Sequence, residues 1–449
     1  MTQKYKYLHF VDYSTFLLWD IKRYFMTQVS SSYPIVRLGD YIQEESAKYK
    51  INDPSKTYGI LGVNNQTGIF DAYREQGSNI KQKYKKMQVG WIAYNPYRVN
   101  VGSIGMRTDK QNYEYISPAY VVFSCKEKKL SPEFLYLLMK TDVFNQIIRE
   151  NTTGSVRQNL NYSVLSNLQI PLPSLDEQNN IVAAYNSALA QSALYARQAQ
   201  DIDAQIEAYL QEKLGFNVNI NKKTSLLNFV NYIDLSRWDP HFLLSQHKIG
   251  ARYPLLSMGD VLSHFLTDKE GKSLRRETTK APQQKFQYIG MENIEKNTGR
   301  IIDSPTVNGS DIKSQTMSVP NGYFLYGKLR PYLNKYWYNN NTLNDNIVCS
   351  SEFFVFDIKE NIMNKQYFLS ILASYIVQKQ LADAMSGARM PRITEDTFRS
   401  IQIPLPPLDI QNEIVSHITS LRAEQKAQQQ QSLSLRSDAQ HQFTKTIFN

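Results

Sequence analysis

The chain has 449 residues, 42% hydrophobic and 20% charged, the composition of a folded protein with a sizeable core. At ~150 residues per domain the length suggests roughly three units, and a net charge of +10 with a pI near 9.2 favours a polyanionic partner, either nucleic acid or an acidic membrane surface. The two cysteines, Cys125 and Cys349, lie far apart and form neither a disulfide framework nor a structural zinc site, and no run of 18 apolar residues exists to span a membrane.

In chain order, the apolar run Phe16–Trp19 is short and flanked by Asp12 and Asp20, so no signal peptide is expected. YPIVRLGDYI (33–42) leads to a turn at Gly39-Asp40. A β-rich middle follows, with alternation and turn residues in VGWIAYNPYRVNVGSIGM (89–106). A strand is expected at Tyr120–Ser124, an amphipathic helix at Phe134–Asp142, and a Gly-containing loop at TGSVRQN (153–159). IPLPSLDEQNNIV (170–182) then opens a long helix from about Leu175 to Leu214. Pro171 and Pro173 stiffen the approach, and Ser174 with Glu177 has capping-box spacing. Asp176 and Glu177 suit the positive end of the helix dipole; Lys213 and Gly215 mark the other end. Ile181, Tyr185, Ala188, Ser192, Tyr195, Ala199, Ile202, Ile206 and Tyr209 recur in steps of four and three, the seven-residue period of a coiled-coil seam. Some 40 residues at 1.5 Å each make a rod roughly 60 Å long.

The same series then returns. YPLLSMGDVL (253–262) repeats the Gly-Asp turn at an offset of 220, and SSEFFVF (350–356) answers SPAYVVF (117–123) at 233. A helix at Tyr367–Tyr375 and a loop SGARMPR (386–392) precede IPLPPLDIQNEIV (403–415), again offset by 403 − 170 = 233. A second long helix follows from about Leu408 to Phe448, with Ile414, Ile418, Leu421, Gln425 and Gln428 on its seam. Its Gln428–Gln431 run weakens that seam. Even Trp19-Asp20 is echoed by Trp238-Asp239. The chain reads as module, helix, module, helix: an α+β protein with an internal repeat. Tyr41–Val89 and Val261–Asn321 differ in length and do not align, so the expectation is a duplicated scaffold carrying two unlike surfaces.

Enzymatic motifs lack their contexts. Tyr94-Asn95-Pro96-Tyr97 resembles an amino-methyltransferase motif without its second proline, and no Gly-rich loop after a strand precedes it. Glu270-Gly271-Lys272 sits in what reads as a solvated loop rather than a nuclease centre. The six His form no pair at metal-ligand spacing, and no phosphate-binding GxxxxGK[ST] occurs. Basic, aromatic-flanked loops are better supported. Asn95, Tyr97 and Arg98 lie in YNPYRVNVG; Lys328, Arg330, Tyr332 and Lys335 lie in YGKLRPYLNKYW; Lys81, Lys83, Lys85 and Lys86 cluster around Tyr84. Arg157, Arg389 and Arg392 occupy the loops before the two IPLP stretches. Lys and Arg anchor phosphates, whereas Arg reads guanine and Asn or Gln reads adenine. For the Lys cluster the alternative of a solvated charged face stands equally open.

Two copies of a variable module, each closed by IPLP-x-LD-x-Q-N-x-I-V and a long helix, resemble the specificity subunit of type I restriction–modification enzymes. The likeness covers nearly the whole chain, and YGKLRPYLNK and the GxxR-type loops add to it. Ile410 and Pro407 depart from it where the first copy has Glu177 and Ser174, which weakens the capping of the second helix. The resemblance implies two target-recognition domains (1–173 and 215–406) joined by a central spacer helix (174–214) and a C-terminal helix (407–449) paired antiparallel to it about a pseudo-two-fold axis. Each domain would read half of an asymmetric, interrupted DNA target in a prokaryotic cytoplasm. Two modification (methyltransferase) subunits would dock on the helices around Asp176, Glu177, Gln178, Ile181, Asp409, Gln411 and Ile414, with restriction subunits outside them. S-adenosylmethionine, ATP and Mg would belong to those partners, and this chain would hold no cofactor or metal. The rival readings are a non-catalytic adaptor binding proteins through its two modules, and a methyltransferase–specificity fusion, for which catalytic motifs are missing.

Overall fold

The computed structural model describes residues 29–99, 102–126, 128–151, 159–219, 248–266, 282–313, 315–340, 343, 346–384 and 390–448. Both Trp-Asp leaders, Arg157, Glu270-Gly271-Lys272 and Arg389 lie outside them. The chain clusters into two units: residues 1–196 with 429–449, and residues 197–428.

The first unit carries β1 (Ile35–Arg37), β2 (Ile42–Glu44), β3 (Lys48–Tyr49), β4 (Thr57–Asn64), β5 (Gly68–Gln76), β6 (Tyr84–Lys86), β7 (Ile92–Tyr94), β8 (Ile104–Met106), β9 (Tyr115–Ile116), β10 (Val121–Cys125) and β11 (Gln169–Pro171). Helices α1 (Pro132–Met139), α2 (Asp142–Asn151) and α3 (Tyr162–Leu165) follow β10, and α4 (Leu175–Leu214) follows β11. One sheet runs β2-β10-β7-β8 and a second β3-β6-β9-β4-β5, while β1 pairs with β11 alone. The central strands are short and apolar throughout because both of their faces are covered. Ile92 and Tyr94 of β7 pack with Phe134 and Leu138 of α1, whereas Ala93 between them joins Leu61 and Ile116 of the second sheet. Successive residues of a strand point to opposite faces, so the layers are helices, sheet, sheet.

The second unit opens with β12 (Asn217–Asn219) paired to β13 (Lys248–Gly250). Then come β14 (Leu255–Ser257), β15 (Leu262–Phe265), β16 (Lys285–Ile289), β17 (Thr306–Asn308), β18 (Thr316–Ser318), β19 (Phe324–Gly327), β20 (Tyr336–Tyr338), β21 (Ile347–Ser350), β22 (Phe353–Ile358) and β23 (Gln402–Pro404). Its helices are α5 (Met258–Val261), α6 (Lys365–Ala373), α7 (Tyr375–Ala384), α8 (Glu395–Ser400) and α9 (Leu408–Ile447). Phe324, Tyr326, Phe354 and Phe356 face the helices, and Leu325, Phe353 and Val355 face the second sheet.

The two units share one topology. β14 pairs with β23 in the register of β1 with β11, Ile35 opposite Pro171 as Leu255 is opposite Pro404. The sheet β15-β22-β19-β20 repeats β2-β10-β7-β8. The segments that resisted alignment in sequence also correspond. The order β17-β16-β21-β18 repeats β5-β4-β9-β6, with one parallel pair in each, β16 to β21 and β4 to β9. The duplicated scaffold therefore extends to the second sheet, which the unequal lengths of these segments hid in the sequence. Among the described residues β3 of the first unit and the β12–β13 pair of the second have no counterpart, and the connections differ in plan, a tight turn between β4 and β5 against residues 290–305 between β16 and β17. Strands of two to nine residues, unequal between the copies and separated by unequal loops, leave no shared periodic signal to align.

α4 and α9 are each single 40-residue helices. In the first unit Val182 of α4 shares a core with Phe443 and Ile447 of α9, and the hydroxyls of Ser192 and Ser432 donate to each other's backbone carbonyls at 2.8 and 2.9 Å. In the second unit Ile202, Ile206, Leu210 and Leu214 pack with Ile414 and Ile418. There the Gln425 amide donates to the Ala199 carbonyl at 2.8 Å, and Lys213 pairs with Glu413 and Arg422 with Asp203. Within each unit, rising numbers on α4 meet falling numbers on α9, so the segments run antiparallel. None of the nine seam positions expected on α4 is exposed.

Candidate nucleic-acid interface

The start of each long helix is fixed by hydrogen bonds within its own unit. Before α4 the Ser174 backbone N–H and hydroxyl donate to the Glu177 carboxylate at 2.9 and 2.7 Å, and Glu177 N–H donates back to the hydroxyl at 3.4 Å. This is the capping box expected from the sequence. Those two hydrogen bonds hold the Glu177 carboxyl below its usual range. At the far end Gly215 takes φ +59, the left-handed conformation that closes a helix, and its N–H reaches the Gln211 carbonyl at 2.9 Å.

Gln178 and Gln411 are fully buried. The Gln178 carbonyl accepts from Ser131 N–H at 2.8 Å, while its amide donates to the carbonyls of Pro173 at 2.9 Å and Lys129 at 3.3 Å. Gln411 repeats the set with Asn364 N–H at 2.8 Å, Pro406 at 2.8 Å and Ile362 at 2.9 Å. Each glutamine ties the helix start to the lead-in of α1 or α6 within its own unit. The reading of Gln178, Gln411 and the equally buried Ile414 as partner-docking residues is therefore corrected: their side chains are spent inside this chain. Asp176, Glu177 and Asp409 are exposed, and Ile181 is half-buried.

The β7–β8 and β19–β20 connections carry the arginines. Both close with the same backbone bonds, at positions 232 apart. Asn95 N–H donates to the Ser103 carbonyl at 3.1 Å as Gly327 does to Lys335 at 2.8 Å, and Gly102 donates to Val99 as Asn334 does to Pro331, both at 2.9 Å. Leu160 N–H donates to Pro96 at 3.0 Å as Ile393 does to Lys328 at 3.2 Å, which lashes the loop before each IPLP stretch to the arginine turn. Arg98 and Arg330 occupy corresponding, exposed positions (330 − 98 = 232) in turns. Arg330 has φ +50 and ψ +59 and donates its N–H to Pro391 at 2.8 Å. A non-glycine residue held there is uncommon and clusters at functional sites. Asn95 accepts the Tyr97 N–H at 3.0 Å, shaping the turn from which exposed Tyr97 projects. Tyr94 is wholly buried, its hydroxyl donating to the Leu160 carbonyl at 3.1 Å and its acidity suppressed by burial.

In the second unit Tyr332 is exposed beside Arg330, whereas Lys335 and Lys328 turn back to the carbonyls of Met291 and Ser351. Arg392 makes a two-pronged pair with Glu352, Nη2 to Oε1 at 2.9 Å and Nε to Oε2 at 3.2 Å, and this pair holds the Glu352 carboxyl below its usual range. In the lysine cluster Lys81 and Lys83 are exposed and Lys86 pairs with Glu114 at 3.1 Å. Lys85 is buried, its ammonium on the Tyr120 carbonyl at 2.9 Å, and desolvation lowers its pKa. It cannot reach a phosphate without leaving that site. Among the described residues no cluster of three or more His, Cys, Asp or Glu could hold a metal, and no helix is long and apolar enough to cross a membrane.

Two repeated features escaped the sequence reading. Lys126 and Lys359 cap the Gly-Asp turns, donating to the carbonyls of Asp40 at 2.9 Å and Asp260 at 2.8 Å. Gly77-Ser78-Asn79-Ile80 corresponds to Gly309-Ser310-Asp311-Ile312, again at 309 − 77 = 232, and this short match was the available signal for the second sheet.

A family model of the type I restriction modification DNA specificity domain matches residues 35–202 and 256–435. The specificity subunit of the EcoDI type I restriction enzyme of Escherichia coli is 21% identical over 297 residues, 66% of this chain and 63% of that protein. That of the HindI enzyme of Haemophilus influenzae is 29% identical over 134 residues, 28% of this chain and 29% of that protein. The matches thus span under two thirds of either relative's length. A solved chain from work on complex assembly and conformational transition of a type I restriction–modification system aligns with TM-score 0.58 and 15% identity, covering 94% of this chain and 98% of that one. The likeness to that chain is one of fold.

Proposed function

Since the chain belongs to the type I restriction modification DNA specificity family, we propose that it is the sequence-reading subunit of such a system and that each module reads one half of an asymmetric, interrupted duplex target. The observation that carries this is the duplicated turn. Turns closed by the same pair of backbone hydrogen bonds carry Arg98 in one unit and Arg330 in the other, while the arginine's own backbone and the neighbouring side chains differ, Arg330 alone having positive φ. Two similar mounts with unlike side chains suit two unlike half-sites. The exposed residues Tyr97, Arg98, Arg330 and Tyr332, together with Lys81 and Lys83, are the proposed duplex contacts. Arg157 and Arg389 belong to the same reading by sequence alone.

The finer assignment keeps the target-recognition domains at 1–173 and 215–406. The helices at 174–214 and 407–449 pair as an antiparallel coiled coil that sets the separation of the half-sites about a pseudo-two-fold axis. Modification subunits dock on that pair through exposed positions such as Asp176 and Asp409, and restriction subunits assemble outside them. In this reading the chain is non-catalytic and cytoplasmic, and S-adenosylmethionine, ATP and Mg serve the partners.

Single-molecule methylome sequencing of cells expressing the chain with its modification partner tests the proposal. The expected result is one new bipartite motif with a fixed gap; no new motif overturns it. A protein-binding adaptor would show no duplex binding that weakens steeply with salt, whereas a subunit neutralising several phosphates must.

A further inference from the structure

The two arginine turns are closed by the same pair of backbone hydrogen bonds, so what they share cannot make two half-sites differ. The differing residues beside them can. Position 352 in the second unit corresponds to Ala119 in the first (352 − 119 = 233), and Arg392 corresponds to Asn159 (392 − 159 = 233). The second unit therefore has a carboxylate–guanidinium pair where the first has an exposed alanine and an asparagine whose side-chain oxygen is buried without a partner. The pair is built onto the Arg330 turn. Glu352 accepts the Lys328 N–H on its backbone carbonyl at 2.8 Å, and Leu329 bridges to Arg392. It is also open to solvent, the Glu352 and Arg392 side chains being 32% and 51% exposed.

A carboxylate on a basic surface that meets phosphates costs affinity unless it gains a specific donor. Carboxylates find one in the major groove, in the exocyclic amino group of cytosine. Building on the reading of each module as a duplex reader, we infer that Glu352 is a specificity-determining residue of the second half-site, accepting a hydrogen bond from a cytosine amino group. Arg392 is its positioning residue: its fork fixes the carboxylate plane and offsets its charge against the DNA backbone. The first module has no counterpart and reads its half-site without this contact.

The test uses the full-length chain and a randomised duplex library, with sequencing of the retained fraction. In the parent, one position of one half-site should be cytosine. Glu352→Ala should reduce the preference at that position by about 5- to 150-fold and leave the other half-site unchanged. Glu352→Gln should move the preference toward adenine, which an amide pairs with on two atoms. It carries the same decision should the alanine variant lose its circular dichroism signal. Arg392→Ala should lower retention of all sequences and weaken the cytosine preference without abolishing it. An unchanged motif with stronger overall binding in Glu352→Ala would make the pair an ordinary surface salt bridge and overturn the inference. A parent that retains no sequence at all would instead overturn the underlying reading, and the inference with it.

Discussion

The first and second modules are most alike in their buried polar contacts and turn closures and least alike in the side chains beside the arginine turns. Gln178 and Gln411 make the same three hydrogen bonds to residues at matching positions, and the two arginine turns close on the same backbone atoms. Ala119 and Asn159 against Glu352 and Arg392 stand beside those turns with nothing in common. A fold can be held constant by buried polar contacts whose partners are mostly backbone, because backbone groups survive substitution. The surface then varies without disturbing them.

The glutamines offer the most forceful way to break the likeness. Gln411→Leu leaves the Asn364 N–H and the carbonyls of Ile362 and Pro406 buried and unpaired, at about 1–3 kcal/mol for each group left without a partner. We expect a loss of about 3–5 kcal/mol in the second module, and a matching loss in the first from Gln178→Leu. Hydrogen exchange resolved by module would read it; a loss in only one of them would show that the two networks are not equivalent.

Next in size is the pair of arginines. Arg330→Ala should cost about 1–3 kcal/mol of duplex binding and relax one half-site, and Arg98→Ala should relax the other. Binding assays across mutated half-sites separate the outcomes. A uniform loss over all sequences would make the arginine a phosphate anchor, and unchanged binding would make it a solvated surface residue.

The smallest effect sharpens a contrast between the modules. Glu207 of α4 accepts the Tyr375 N–H at 3.0 Å, its other oxygen is buried without a partner, and desolvation raises its pKa above the usual 4.5. A carboxyl raised in the folded state binds its proton more tightly there than in the unfolded chain. The fold therefore loses stability as pH rises from the unfolded value through the folded one. Glu207→Gln should remove that loss, raising the melting temperature of the second module at neutral pH and leaving it little changed below pH 4. Equal melting shifts at both pH values would show that the charge is not the cause.

Much of this was legible in the sequence where a signal was long or periodic. Thirteen consecutive residues announced each long helix, and the four-three spacing marked the faces that α4 and α9 turn inward. The second sheet was not legible, because its strands are as short as two or three residues and the loops between them differ in length. Its textual trace is a four-residue stretch identical at three positions, at an offset of 232. Lys85 shows a different limit. In a run of lysines it reads as surface charge, yet β6 turns it to the covered face, where the Tyr120 carbonyl receives it. The Glu352–Arg392 pair joins residues 40 positions apart, a contact that no local pattern announces.

Gly102 and Asn334 occupy the same place in the two arginine turns, with φ of +82 and +45. Glycine and asparagine are the residues that tolerate such a backbone, and a β-branched side chain there would be strained. For anyone retargeting this protein, that position sets the boundary of a useful library. Diversity belongs at the exposed or open positions 97, 119 and 159 in one module and 352 and 392 in the other, not at Asn95 or the buried Gly327, which help to form the turns. Codons at 102 and 334 are better restricted to Gly, Asn and Asp, so that every member of the library still presents its arginine from the same turn.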